Sequence, residues 1–221
     1  MNLKDAMYER HSVRAYEDRP IDAELLEELE ALIRDCNEES GLHIQLVTNE
    51  PKAFQSLMAR YGQFKGVTNY IAMVGPKSSS LEELCGYYGE KIVLRAQMMG
   101  LRTCWVGATY KKIPDAFEVA AGEKLVIVIT IGYGLTDGTP HKSRKAGLIS
   151  NVSDKSPLWF RNGIRAALLA PTAMNQQKFK LDLEEGHVKA RAGIGPYAKV
   201  DLGIVKYHFE VGSGQGPEVW R

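Results

Sequence analysis

Cysteine is scarce: Cys36, Cys85 and Cys104 are the only three in a chain of 221 residues. They stand in no CxxC or metal-type spacing, and an odd number suits no disulfide framework, so reduced and mostly buried thiols are expected. No local base accompanies any of them, which argues against a catalytic thiol. Charge of one sign is lacking too. Lys and Arg total 28 against 27 Asp and Glu, a formal net charge of +1 without the basic excess of a nucleic-acid-binding protein. No apolar run approaches bilayer length; the longest, Leu125 to Ile131, is interrupted by Thr130. Asp5, Glu9 and Arg10 fall where a signal peptide needs its apolar stretch, so a cytoplasmic location with no membrane partner is expected. His43, His187 and His208 have no companions at metal-ligand spacing, and no metal site is expected. What is present is ordinary for a globular chain: 44% hydrophobic and 25% charged residues, over a length able to bury a substantial core.

Periodicity divides the chain into helices and strands in alternation. Residues 2–10 suit a short helix, followed by a polar, basic connector. Asp22 is a candidate N-cap for the next helix, in which Leu25, Leu26, Leu29, Leu32 and Ile33 share one face and Ser40-Gly41 closes the run. His43 to Thr48 and Tyr70 to Val74 read as strands, with a helix expected over Lys52 to Arg60 between them. Leu81 to Met99 is the longest helical segment, with Gly100 suited to a left-handed C-cap. Leu125 to Ile131 is nearly continuous in β-branched and aliphatic residues, as in a central strand covered on both faces. A helix from Ser156 or Pro157 to Ala170, alternating strands around Phe179–Leu183 and Val188–Ala192, and a short final helix over Leu202 to Phe209 complete the pattern, with Gly212 to Gly216 read as a frayed tail. Such alternation makes the class α/β or α+β.

Three segments concentrate polar chemistry. Arg10-His11-Ser12-Val13-Arg14 puts two guanidiniums, an imidazole and a hydroxyl into five residues, a set that suits a phosphate and equally a solvated basic turn. His141-Lys142-Ser143-Arg144-Lys145 follows the central strand and its Gly132-x-Gly134 pair, beyond a strand end where ligands of open sheets tend to bind. Ala170-Pro171-Thr172-Ala173-Met174-Asn175-Gln176-Gln177 combines a helix stop, small residues and three successive amides, which can read the polar edge of a heterocycle. Asp137 stands where a dinucleotide fingerprint needs its third glycine, so no Rossmann site is expected.

Together these segments resemble the nitroreductase family of FMN-dependent NAD(P)H oxidoreductases. Arg-His-Ser-x-Arg followed by Ala15-Tyr16 is similar to that family's N-terminal flavin phosphate motif. Leu101-Arg102-Thr103-Cys104-Trp105-Val106-Gly107 resembles its GLGTCWIG segment, and Ile131 to Gly134 with Lys142 and Arg144 resembles its final strand and second phosphate loop. One departure stands out. The family's APSAxNxQPW loop follows the helix that here spans residues 22 to 37, yet its match lies at Ala170 to Gln177. In usual members this loop reaches the partner subunit's flavin, so the last third here is expected to imitate the partner, as in a divergent branch whose Asp201-Leu202-Gly203-Ile204 and His208-Phe209-Glu210 also match.

The resemblance implies an α+β sandwich: a central mixed, mostly antiparallel sheet flanked by helices. It implies a nitroreductase-like half, 1–149, and a partner-mimicking half, 150–221, in one compact unit. Such a chain is a pseudo-dimeric monomer with one site of its own, and further homodimerisation is left open. FMN is the implied cofactor and NAD(P)H the reductant, with a nitroaromatic, quinone or similar small acceptor reduced in a ping-pong cycle. Arg10, Ser12, Lys142 and Arg144 are expected on the flavin phosphate, His11 near the ribityl chain or phosphate, and Arg14 near the pyrimidine edge. Pro171, Thr172, Ala173 and Asn175 are expected along the ring edge, and the amide of Gly107 or Ala108 at flavin N5. No side chain is singled out as acid or base. The alternatives are a flavoenzyme of the same fold with a specialised substrate, or a protein that holds FMN or another phosphorylated ligand without turnover.

Overall fold

The computed structural model describes all 221 residues. The chain runs through α1 (Leu3–Glu9), α2 (Ala23–Ser40), β1 (Gln45–Val47), α3 (Leu57–Tyr61), β2 (Tyr70–Pro76), α4 (Leu81–Met98), β3 (Arg102–Val106), β4 (Glu123–Gly132), α5 (Ala146–Ile149), α6 (Leu158–Ala167), β5 (Phe179–Glu184), β6 (His187–Ala192) and α7 (Ala198–Ser213). Strands β1 to β4 form one antiparallel sheet in the order β1-β2-β4-β3, and β5 and β6 form a separate hairpin. Helices packed around an antiparallel sheet make the fold α+β, as expected.

Period-two alternation assigns each face of the sheet its own core. Ile127, Ile129 and Ile131 of β4, with Ile71 and Met73 of β2, face the helices. Val128, Tyr70 and, from β3, Cys104 and Val106 face a smaller core with Val13, Tyr16, Phe54 and Phe64. The expectation for Leu125 to Ile131 is met, because β4 lies between β2 and β3 and Val126 to Gly132 is buried throughout. All three cysteines are free and buried.

Other local expectations need revision. Asp22 occupies the N-cap position of α2 but makes no capping bond; its carboxylate instead takes Arg19 and the Tyr133 hydroxyl. The segment 52–60 splits into a 3-10 turn at Lys52–Phe54 and the five-residue α3. The final helix is long, 16 residues, and Gly212 belongs to it, pressed against Ala166 of α6, with Gly214 as the left-handed C-cap. The Arg102–Val106 segment is a strand that the periodicity alone does not mark.

Helices α4 and α7 cross in close contact. A Cβ on Gly86 would strike the carbonyl oxygen of Val200, and a Cβ on Gly203 would strike that of Glu83. Each carbonyl belongs to the residue three before the opposing glycine, so the contact is reciprocal, as in an isologous interface. Glu83 with Lys206, Tyr87 with Tyr207 and Glu90 with His208 also meet across this crossing.

Candidate functional site

Residues 10–14 leave α1 and lie along the free edge of β3, through a parallel bridge from Ser12 to Thr103 and a Val13 N–H to Thr103 oxygen bond of 3.0 Å. Tyr16 fastens the far end. Its hydroxyl donates to the Val13 carbonyl at 2.8 Å and shares a hydrogen bond with Thr130 Oγ1 at 2.7 Å. Between these anchors Ser12 and Arg14 are exposed, and the Arg14 guanidinium lies 5.9 Å from the centre of the Phe64 ring.

The loop after β4 packs on this segment, with the Cβ position of Gly138 only 2.8 Å from His11 Cβ. It is clasped from the other side by the loop after α6. His141 Nε2 lies 3.0 Å from the Leu168 carbonyl oxygen and Ser143 Oγ donates to it at 2.8 Å. Gln177 is buried and bidentate: its Oε1 accepts from Arg144 N–H at 2.7 Å and its Nε2 donates to the Lys142 carbonyl at 3.0 Å. Asn175 is exposed, and its Nδ2 donates to the same carbonyl at 3.0 Å, so that amide also holds the basic loop. Arg10 to Ser12, Lys142, Arg144 and Asn175 are thereby brought into one neighbourhood, from segments as far as 165 positions apart by their numbers (175 − 10).

The start of α7 ties in the remaining candidates. Asp201 Oδ1 accepts from Ala173 N–H at 2.8 Å and Oδ2 from Gln176 Nε2 at 2.7 Å, fixing the loop that carries Pro171, Thr172 and Ala173. Burial pushes the Asp201 carboxyl up to about 6, against those two hydrogen bonds, which favour its ionised form. Four residues earlier, Tyr197 stands at a left-handed φ of 58° and donates its hydroxyl to the Gly107 carbonyl at 2.6 Å. Its ring fills the space a Cβ on Gly107 would need. A trans peptide directs its C=O and N–H oppositely. With Gly107 oxygen turned to Tyr197, the Ala108 N–H points away from that ring, and it donates to no backbone carbonyl.

Electrostatically the neighbourhood is positive. Arg14, Lys142 and Arg144 are exposed and enter no ion pair. Burial lowers the affinity of His11 and His141 for protons, and the Arg10 charge lowers both further. Arg10 itself is 3% exposed, with Nε buried and lacking any hydrogen-bond partner, 3.8 Å from Glu90. A buried guanidinium with donors to spare suits an anionic group. Two surface clefts share no residue with these loops: one is lined by Glu184, Glu185, Lys189 and Arg221, the other lies between α1, α2, α4 and α7.

The residues that sequence reasoning does not assign are Glu90, Gln177, Tyr197, Asp201 and His208. Gln177 lay within the amide-rich segment, and Asp201 and His208 within stretches matching the divergent branch. Tyr197 and Glu90 carried no such mark.

Comparison with known proteins bears on the whole chain. A family model described as "Putative TM nitroreductase" matches residues 2–213. Among solved structures, a nitroreductase from Thermotoga maritima superposes with a TM-score of 0.69 at 22% identity, over 96% of this chain and 83% of that one. One from Desulfovibrio desulfuricans, solved in complex with FMN, gives 0.52 at 17% identity, over 71% of this chain and 99% of that one. A Bacteroides thetaiotaomicron protein described as a "Putative NADH dehydrogenase/NAD(P)H nitroreductase" gives 0.51 at 20% identity, over 66% and 95%. No curated protein matches. These structures share the fold, and the family match extends across nearly all of the chain; the protein belongs to the nitroreductase family that this model describes.

Proposed function

We propose that this chain is an FMN-dependent NAD(P)H oxidoreductase that reduces small acceptors such as nitroaromatics or quinones. The observation that carries the reading is the packing of the 138–145 loop between residues 10–14 and the 170–177 loop, beside Arg10, whose buried Nε has no partner of its own. When bound, FMN would supply the redox chemistry, two-electron transfer between NAD(P)H and the acceptor.

The chain's own residues bind and orient. Arg10, Ser12, Lys142 and Arg144 hold the phosphate, and the guanidiniums match its oxygens in charge and geometry. His11 adjoins the phosphate or ribityl chain. Arg14 provides a cation at the pyrimidine edge, where it favours negative charge on the reduced ring. Pro171, Thr172 and Ala173 line the ring edge, while Asn175 and Gln177 keep the Lys142–Arg144 backbone in place. The Ala108 N–H, which donates to no backbone carbonyl, would be free to donate to flavin N5. No side chain need act as acid or base, since solvent can supply the proton.

The last third, 150–221, completes the site in place of a partner subunit. Its support is the reciprocal α4–α7 crossing and the loop that α7 holds through Asp201. The Desulfovibrio structure also leaves nearly three-tenths of this chain without a counterpart.

The visible spectrum of the purified protein tests the assignment. The two-band absorption of oxidised flavin is expected, released as FMN on denaturation, and it should bleach anaerobically on adding NADH or NADPH. A protein that cannot be loaded with FMN refutes the reading, and one that binds FMN without bleaching is a binding protein rather than a reductase.

A further inference from the structure

Glu90 of α4 and His208 of α7 are both fully buried, and neither lies on a loop assigned to the cofactor. They meet across the helix crossing, with His208 Nε2 and Glu90 Oε1 2.8 Å apart. Trp105 Nε1 donates to the other oxygen, Oε2, at 2.9 Å. His208 Nδ1 faces the Ala166 carbonyl oxygen at 3.2 Å. A carbonyl can only accept, so Nδ1 carries a proton, and the bond between Nε2 and Oε1 holds one more. Whichever atom owns that second proton, Arg10, Glu90 and His208 together carry a single net positive charge.

Each oxygen of Glu90 therefore already has a hydrogen-bond partner, and Arg10 makes no hydrogen bond to either. Its approach of 3.8 Å, from Nε to the oxygen that His208 occupies, is attraction without a hydrogen bond. A free carboxylate beside a guanidinium ordinarily takes it in a two-bonded fork. Here the fork is not formed, although leaving a buried donor without a hydrogen bond is unfavourable.

We propose that His208 is a positioning residue for the phosphate group of the cofactor. By holding Glu90 Oε1, as Trp105 holds Oε2, it fixes the carboxylate in an orientation that does not close on Arg10, so the guanidinium stays available to an external phosphate. This inference rests on the FMN assignment made above. Helix α7 then serves both ends of the site, since its first turn holds the ring end and its last turns hold the phosphate end.

Riboflavin lacks only the phosphate, so comparing FMN and riboflavin affinities, by quenching of flavin fluorescence, isolates the effect. In His208→Leu the freed Glu90 oxygen claims Arg10, and FMN binding should weaken about tenfold or more while riboflavin binding changes little. In His208→Gln an amide donor returns to that oxygen and most FMN affinity should return. Glu90→Gln removes the competing charge yet keeps an acceptor for Trp105, and FMN should bind at least as tightly as to the wild type. A purely structural role lowers both affinities in all three variants. Equal losses for the two flavins, unchanged FMN binding in His208→Leu, or an FMN-specific loss in Glu90→Gln overturns the proposal. Should His208→Leu not fold, the Glu90→Gln arm decides alone by the same criterion. Wild-type protein that binds neither flavin refutes the FMN assignment itself.

Discussion

Asp201 illustrates how much a single buried acid can organise. Its carboxylate is nearly inaccessible, yet it accepts from a backbone and a side-chain amide and so fixes the loop at 171–177. Burial raises its carboxyl from an ordinary 3.8 to about 6. Between those values the folded chain keeps a proton that the unfolded chain has already lost. The contribution of Asp201 to stability therefore falls as pH rises through that window, by about 3 kcal/mol in all. In Asp201→Asn this dependence disappears. Thermal unfolding from pH 4 to 7 should find the variant gaining on the wild type as pH rises, and parallel curves would refute the assignment. Such residues are hard to read in a sequence. Glu90 and Asp201 look like any acid on a helix, because what distinguishes them is the neighbour that buries them, and His208 lies 118 positions from Glu90. Arg10 to Arg14 were legible because their chemistry is contiguous.

At the scale of elements, legibility followed the polar face. Helix α2 is amphipathic and β4 is continuously apolar, so both announce themselves. Helix α7 does not: Asp201, His208 and Glu210 are buried along with its apolar residues, leaving no clear polar stripe to mark its length. Strand β3 is five residues long and mixes Arg102 and Thr103 with Cys104 and Val106, too short and too polar for a pattern. The α4–α7 crossing depends on two glycines whose Cβ positions meet backbone, which cannot swing aside as a side chain can. Gly86→Ala and Gly203→Ala should each destabilise the fold by about 2–3 kcal/mol. The double variant should fall short of the sum, since either methyl already separates the helices. Urea denaturation midpoints read this directly. Gly147→Ala, where nothing lies within 4 Å, is the control and should be near neutral.

For the whole molecule, the proposed completion of the site within one chain fixes a stoichiometry. Light scattering combined with flavin absorbance should find one FMN per chain and a monomer that retains it. Flavin held only by an obligate dimer, with the site shared between two chains, would refute the partner-mimicking role of 150–221. The order of the motifs is what suggests this arrangement, because the amide-rich loop occurs after residue 170 instead of after α2. The clasp of Gln177 on Lys142 and Arg144 was not, since it joins two loops that read separately as polar surface.

The reciprocal contact between Gly86 and Gly203 has a genetic consequence. In a homodimer one codon writes both sides of a two-fold contact, so every substitution there is imposed twice and must suit itself. Here each side has its own codon. Selection can enlarge a residue on α4 and compensate on α7 without imposing either change twice. The near-symmetry of the crossing can thus persist where the backbones touch while the sequences around it drift apart.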